Sequence, residues 1–125
     1  MAITNAGTDD GTNVSTLTIT GVTAAVGDVI AVLVGGQDLY TSDQVSSIAW
    51  SGESFTVARA FRPPNDVEDW NDVEIWYLVV AGADTASITI NFTGAMGNIG
   101  GGVAAVAVVM TDMNVGDLVG DFAEL

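Results

Sequence analysis

The stretch that decides the fold is Ser87-Ile88-Thr89-Ile90-Asn91-Phe92, in which polar and apolar residues alternate without a break. Successive side chains of a β-strand point to opposite faces, so a period of two predicts a strand with Ile88, Ile90 and Phe92 against a core and the polar residues in water. The run Val14–Thr20 has the same pattern, with Leu17 and Ile19 on one face and threonines on the other. These two runs indicate half-buried β-strands.

Five further apolar runs are separated by connections rich in glycine, proline and aspartate, and no segment has a convincing helical period. Ser51-Gly52-Glu53 lies between two of the runs and predicts a hairpin turn. We therefore predict an all-β fold: a single antiparallel β-sandwich, jelly-roll or immunoglobulin-like, with about seven to eight strands. A closed barrel is less favoured. The predicted strands are 14–20, 29–34, 45–50, 55–61, 73–81, 87–92 and 103–110.

This pattern divides the chain into an N-terminal arm (residues 1–13), a β-sandwich domain (14–112) and a C-terminal tail (113–125). Three of the predicted strands, 29–34, 73–81 and 103–110, are apolar on both faces, whereas a strand with one wet face should alternate. Something must cover their second face: a terminal segment that folds back, or a neighbouring subunit. We favour a neighbouring subunit, because a surface poor in charge suits a chain that functions within an assembly.

The composition excludes most chemistry that needs a group titrating near neutrality. The 125 residues include 16 carboxylates and two arginines but no lysine, histidine or cysteine, for a formal net charge of -14. Serine and cysteine triads, lysine Schiff bases and Cys/His zinc sites are thus impossible. A glycosidase-like carboxylate pair or an oxygen-ligated cation stays open, but the chain matches no local signature of such hydrolases. We predict a protein that is not an enzyme and needs no cofactor.

Two cations against 16 carboxylates also disfavour nucleic acids and anionic membranes as partners, because both carry dense negative charge. The first residues lack the basic and apolar regions of a signal peptide, and no apolar run approaches the roughly 20 residues that span a bilayer. We expect synthesis in the cytoplasm.

The densest polar feature is the acidic stretch from Asn65 to Glu74. Its carboxylates could supply oxygen ligands to Ca²⁺, although they lack the glycine-containing spacing of a calcium loop. A solvated loop is the favoured interpretation. Trp70, within the stretch, could instead anchor a partner, since exposed tryptophan is frequent at binding hot spots. The weak metal candidates are Asp66, Glu68, Asp69 and Asp72.

Aromatic and cationic residues supply the remaining candidates for partner binding. Tyr40, Phe61 and Trp70 lie at predicted strand ends or in loops, where they could stack on a sugar or pack along the sandwich edge. Arg59 and Arg62 are the only cations, and arginine is enriched at interfaces. Residues 94–102 contain many glycines but lack the lysine of a phosphate-binding loop, so they predict a turn. The candidate partner-binding residues are Trp70, Arg59, Arg62, Tyr40 and Phe122.

The order of these segments resembles a recurrent β-sandwich module. It comprises Gly27–Gly36, Val45–Thr56, Val73–Leu78 and Ser87–Gly94, followed by the apolar last strand. Modules of this appearance occur in tailed-phage virion proteins, including capsid decoration (cement) proteins, and in bacterial surface proteins. The resemblance covers about residues 14–112 and brings no fixed catalytic residues.

The resemblance implies a bacteriophage virion structural protein that binds the outside of the major capsid protein lattice and stabilises contacts between capsomers. It also implies a homo-oligomer, with a trimer favoured, whose two terminal segments act as arms onto neighbours. The alternative is a surface-exposed β-sandwich module that binds carbohydrate or needs Ca²⁺.

Overall fold

Nine β-strands make up the fold in the computed structural model, which describes residues 1–38, 44–61, 70–97 and 102–113. No helix occurs in these ranges. The strands are β1 (Ala2–Gly11), β2 (Val14–Ala24), β3 (Val29–Asp38), β4 (Val45–Trp50), β5 (Glu53–Ser54), β6 (Thr56–Phe61), β7 (Trp70–Val79), β8 (Asp84–Met96) and β9 (Val103–Thr111).

The strands form two antiparallel sheets, which confirms the predicted all-β sandwich. One sheet has five strands in the order β1-β9-β3-β7-β6, and the other has four in the order β2-β8-β4-β5. The predicted turn also forms: Ser51 and Gly52 adopt φ values of 49° and 78°, and Trp50 pairs with Glu53 across them. Positive φ at both central residues is typical of the two-residue hairpin turns that match strand twist.

The N-terminal segment is a strand of the sandwich, and its prediction as a separate arm is wrong. Ala2–Gly11 pairs antiparallel with β9, from Ala2 opposite Thr111 to Gly11 opposite Val103. The segment is rich in threonine, asparagine, aspartate and glycine and has no apolar alternation. It is placed instead by the free edge of β9, whose backbone N–H and C=O groups need partners.

The core lies between the inner faces of the two sheets. Leu17 and Ile19 of β2 are buried there with Ile88, Ile90 and Phe92 of β8, as the alternation predicts. Trp50 is fully buried, and its indole Nε1 donates a hydrogen bond to the backbone oxygen of Val22 at 3.1 Å. This bond satisfies the single polar group of the largest core side chain.

Candidate interaction surface

The three strands that are apolar on both faces lie side by side at the centre of the five-stranded sheet, in the order β9-β3-β7. Their odd-numbered and even-numbered positions face opposite sides, so one set fills the core and the other points away from the four-stranded sheet. We call this second side the outer face. From these strands it carries Val29, Ala31, Leu33 and Gly35 of β3; Val73, Ile75, Tyr77 and Val79 of β7; and Ala104, Val106, Val108 and Met110 of β9.

Strand register arranges the outer face in rows across the sheet. Leu33 lies opposite Ile75 on one side and Val106 on the other, and Gly35 lies between Val73 and Ala104. The next row towards the start of β3 centres on Ala31 and the last on Val29. The apolar residues therefore form one continuous patch rather than scattered positions.

At one end of the outer face the residues of β3 and β9 are covered, although Val79 beside them stays 38% exposed, and the other end is open. Val29, Ala31 and Met110 form a small buried cluster against which Met113, just beyond β9, is packed. Towards the other end, Leu33 is 41% exposed and Val73 is 45% exposed. Large apolar side chains that remain exposed in a contiguous patch mark an interaction surface.

Both edges of the open end carry a charged residue. On β6, Arg59 lies beside Ile75 and Phe61 lies beside Val73, with Phe61 55% exposed. On β1, Asp10 lies beside Ala104. Among the side chains that the structure describes on the outer face, Arg59 and Asp10 are the charged ones, so the patch has no net charge although the chain carries -14.

A shallow groove crosses the open end of the outer face above Asp10, Ala104, Gly35 and Val73. Its floor is low because Gly35 and Ala104 have little or no side chain. A Cβ atom added at Gly35 would meet nothing within 4 Å, so the space above this glycine is empty. The outer face thus contains a groove into which a side chain of a partner could fit.

Inside the sandwich, two carboxyl groups of β7 hold the start of β4. Asp72 and Glu74 are each 2% exposed. Asp72 Oδ2 accepts a hydrogen bond from the backbone N–H of Gln44 at 3.0 Å, and Glu74 Oε2 accepts one from that of Val45 at 3.0 Å. Because β4 and β7 belong to different sheets, these bonds tie the two layers together.

The second oxygen of Glu74 accepts a hydrogen bond from Trp76 Nε1 at 3.1 Å. The pKa of Glu74 is raised from 4.5 to about 8, mainly by burial and also by the hydrogen bond with the Asp72 carboxyl, against the lowering effect of the Val45 N–H. At neutral pH the neutral form of Glu74 is therefore favoured, which limits the negative charge buried between the sheets.

The sequence candidates are distributed unevenly over this structure. Arg59 lies on the edge strand β6, and Asp72 lies on β7 inside the sandwich rather than in a solvated loop. The backbone of Trp70 begins β7, but its side chain lies outside the described part of the chain. The candidates outside the described residues are Tyr40, Arg62, Asp66, Glu68, Asp69 and Phe122.

Within the described ranges, no group of three or more acidic residues is placed to hold a metal ion. The same part of the chain contains no helix long and apolar enough to cross a membrane.

Sequence reasoning did not predict that Glu74 is buried, although Glu74 lies two residues from both Asp72 and Trp76 and this spacing places all three side chains on one face of the strand.

Comparison of the chain with protein-family models, with curated proteins and with solved structures finds no match. Function must therefore be inferred from the surface itself.

Proposed function

We propose that this protein is a non-enzymatic structural subunit of a virion, a decoration protein that binds the outside of a capsid and reinforces contacts between capsomers. The observation that supports the proposal is the continuous apolar outer face of the five-stranded sheet. Leu33, Val73 and Phe61 leave about half of their surface in water. Burying the remainder of each against a protein contributes on the order of 1 kcal/mol per side chain.

The distribution of charge supports the same proposal. The chain has 16 carboxylates, yet Asp10 is the single acidic side chain among those described on the outer face, and the positive charge of Arg59 balances it. Interface cores are poor in charge, whereas charge on the remaining surface keeps a subunit soluble. The net charge of -14 also repels nucleic acid, which suits a protein on the outside of a capsid.

A decoration protein stabilises a shell by mass action, because it binds the assembled lattice better than separate capsomers. Long strand pairings hold the five-stranded sheet together, and carboxyl groups join it to the other sheet, which gives the subunit a rigid framework suited to this role. The trimer implied by the sequence resemblance is one form that the bound protein could take.

Co-sedimentation tests the proposed function. The purified chain is mixed with empty shells assembled from the major capsid protein encoded in the same genome and is then centrifuged. We expect saturable binding at a fixed ratio of chain to capsid protein and a higher melting temperature of decorated shells. A chain that stays in the supernatant at every concentration would contradict the proposal, and binding to a sugar array with no binding to shells would favour the carbohydrate-binding alternative.

A further inference from the structure

We propose that the side chains of Asp72 and Glu74 hold the start of β4 in a proton-dependent way: when they lose the proton between their carboxyl groups, Gln44 and Val45 separate from β7 while the rest of the sandwich stays folded. We call the two side chains the carboxyl pair and the two residues that they hold the entry segment. This inference goes beyond the proposed function and does not depend on it.

The carboxyl pair connects the entry segment to the five-stranded sheet. Asp72 Oδ2 accepts a hydrogen bond from the Gln44 N–H and Glu74 Oε2 accepts one from the Val45 N–H, both at 3.0 Å. Two successive backbone N–H groups are thus bound by side chains of the opposite sheet. On its own sheet the entry segment accepts a hydrogen bond from the Thr93 N–H at the Gln44 oxygen, at 2.7 Å. Its position relative to β7 therefore depends on the carboxyl pair.

A β-bulge separates the entry segment from the rest of β4. Val45 is in register with Phe92 of β8, but the next paired residue is Ser47, so Ser46 is an extra residue and the register shifts there. A bulge interrupts the ladder of a strand pair and bends the strand. Beyond it, Ile48 is 1% exposed in the core. The entry segment can therefore move about the bulge while the core part of β4 stays in place.

The carboxyl pair cannot carry two charges at low cost while the entry segment covers it. Asp72 and Glu74 are each 2% exposed and share a hydrogen bond. Two like charges in one buried site repel each other, so the site retains a proton. A second charge becomes acceptable when water reaches the pair, and the entry segment is the cover whose movement admits water.

The side chains packed around the carboxyl pair are uncharged in the part of the chain that the structure describes. From β3, β4, β6, β7 and β8 they are Val34, Val45, Ala60, Trp76 and Phe92. Arg59 of β6 lies beside Ile75 on the outer face, on the other side of the sheet. The charge of the pair is therefore governed chiefly by burial and by the repulsion between its own carboxyl groups.

The pH dependence of the opening follows from the pKa of Glu74. In the closed form this pKa is about 8, raised mainly by burial, whereas a hydrated carboxyl group in the open form has the ordinary value of 4.5. Between these two values the open form gives up a proton that the closed form keeps. Raising the pH therefore favours opening about tenfold per pH unit from pH 6 to pH 8, and the effect levels off above pH 8.

Amide hydrogen exchange of the wild type, measured by NMR at pH 6, 7 and 8, tests the inference. The rate of an unstructured peptide at the same pH is divided by each observed rate, which gives a protection factor corrected for base catalysis. We expect the protection factor of the Val45 N–H to fall about tenfold per pH unit. The Ile90 N–H lies in β8, between β2 and β4, and reports opening of the whole sandwich.

A low concentration of urea distinguishes release of the entry segment from global unfolding. Urea favours each opening in proportion to the surface that the opening exposes. About 1 M urea should accelerate exchange at Ile90 fivefold or more and leave exchange at Val45 almost unchanged. At each pH the protection factor of Val45 should also be lower than that of Ile90.

Glu74→Gln removes the titrating group, so the protection factor of Val45 should become the same at all three pH values. Glu53→Gln is the matched control: Glu53 also accepts backbone hydrogen bonds, from Ala81 and Gly82, but it lies at a surface turn, and its substitution should preserve the fall at Val45. Asp72→Asn keeps Glu74 and removes its charged neighbour, so the fall should be smaller. Circular dichroism confirms that each variant is folded.

A wild-type protection factor at Val45 that is constant from pH 6 to pH 8 would overturn the proposed release. So would a urea response at Val45 equal to that at Ile90, because the entry segment would then open only by global unfolding. A fall that persists in Glu74→Gln would assign the proton to another group and overturn the role of the carboxyl pair. These measurements use the purified chain without capsids, so their failure is distinct from a failure of the proposed function.

Discussion

Replacement of Glu74 by glutamine should remove a large part of the dependence of stability on pH. Glu74 is 2% exposed and accepts hydrogen bonds from the N–H of Val45 and the indole of Trp76. Glutamine has nearly the same shape but only one terminal oxygen, so it keeps an acceptor for either the Val45 N–H or the Trp76 indole N–H, and its –NH₂ group can donate to Asp72 in place of the carboxyl proton. The loss of one acceptor costs about 1–3 kcal/mol. Glutamine does not titrate, so this cost is the same at every pH.

The sign follows from the pKa of Glu74, which burial raises from 4.5 to about 8. The folded protein then retains the Glu74 proton at pH values where the unfolded chain has lost it, so raising the pH favours unfolding. The stabilisation is complete below pH 4.5 and is lost progressively up to about pH 8. Linkage gives a loss of about 2–3 kcal/mol between pH 6 and pH 9.

The assay is urea denaturation of the wild type and of Glu74→Gln at pH 6, 7, 8 and 9. By pH 6 the wild type has already lost about 2 kcal/mol of this stabilisation, and the acceptor lost in the variant offsets that amount, so we expect the free energies of unfolding at pH 6 to agree within about 1 kcal/mol. At pH 9 we expect the variant to be more stable by about 2 kcal/mol. Other carboxyl groups titrate in both proteins, so their contributions cancel in the difference.

Glu53→Gln is the control for this experiment. Glu53 also accepts backbone hydrogen bonds between elements, from Ala81 and Gly82, but it lies at a surface turn. Its substitution should lower stability by a similar amount at each pH. Parallel curves for wild type and Glu74→Gln from pH 6 to pH 9 would refute the assignment of a proton to Glu74 in the folded state.

Three further substitutions test the packing of the sandwich by chemical denaturation. Trp50→Phe removes the hydrogen bond to Val22 and leaves a small cavity, so we expect a loss of about 2–3 kcal/mol, and a loss below 0.5 kcal/mol would contradict the role of Trp50 in the core. Gly36→Ala places a Cβ 2.7 Å from a methyl carbon of Val103 and should cost about 1–3 kcal/mol, whereas an unchanged midpoint would show that β9 can move. Glu53→Ala removes both hydrogen bonds to the β7–β8 connection and should cost about 1 kcal/mol, with no cost if water replaces the carboxylate there.

Side-chain alternation made most of the fold predictable. β8 is the clearest case, since Ile88 and Ile90 are fully buried on the side that the period of two selects. The turn at Ser51-Gly52 could also be predicted from the sequence, because its positive φ angles are adopted most readily by glycine. Both signals are local and need no knowledge of the rest of the chain.

The missed features depend on contacts between distant parts of the chain. β1 is held by backbone hydrogen bonds to β9, about 100 residues away, and its polar side chains carry no sign of that pairing. Asp72 lies within the acidic stretch and was interpreted as part of a solvated loop, but it belongs to β7, and its side chain accepts a hydrogen bond from Gln44, which directly precedes β4 of the other sheet. A carboxyl group can be buried inside a sandwich when backbone N–H groups donate hydrogen bonds to it, and only the three-dimensional structure shows that such donors are present.

The outer face was partly predictable. Residues 29–34, 73–81 and 103–110 are apolar on both faces, which predicted that a second face needs a cover. That the three strands are neighbours in one sheet follows from the strand order, which the sequence pattern does not predict. Because the three strands are neighbours, their apolar outer sides form one continuous surface.

The proposal that this surface joins the protein into a capsid assembly is tested most directly by co-sedimentation with shells of the capsid protein encoded in the same genome. Three proteins are compared: the wild type, Leu33→Asp and, as the control, Val26→Asp, because Val26 is an exposed valine that lies in the β2–β3 connection and not on the outer face. We expect the wild type and Val26→Asp to saturate the shells at the same fixed ratio and Leu33→Asp to remain in the supernatant. Equal binding by all three proteins would separate the outer face from assembly, and no binding by any of them would contradict the proposed function.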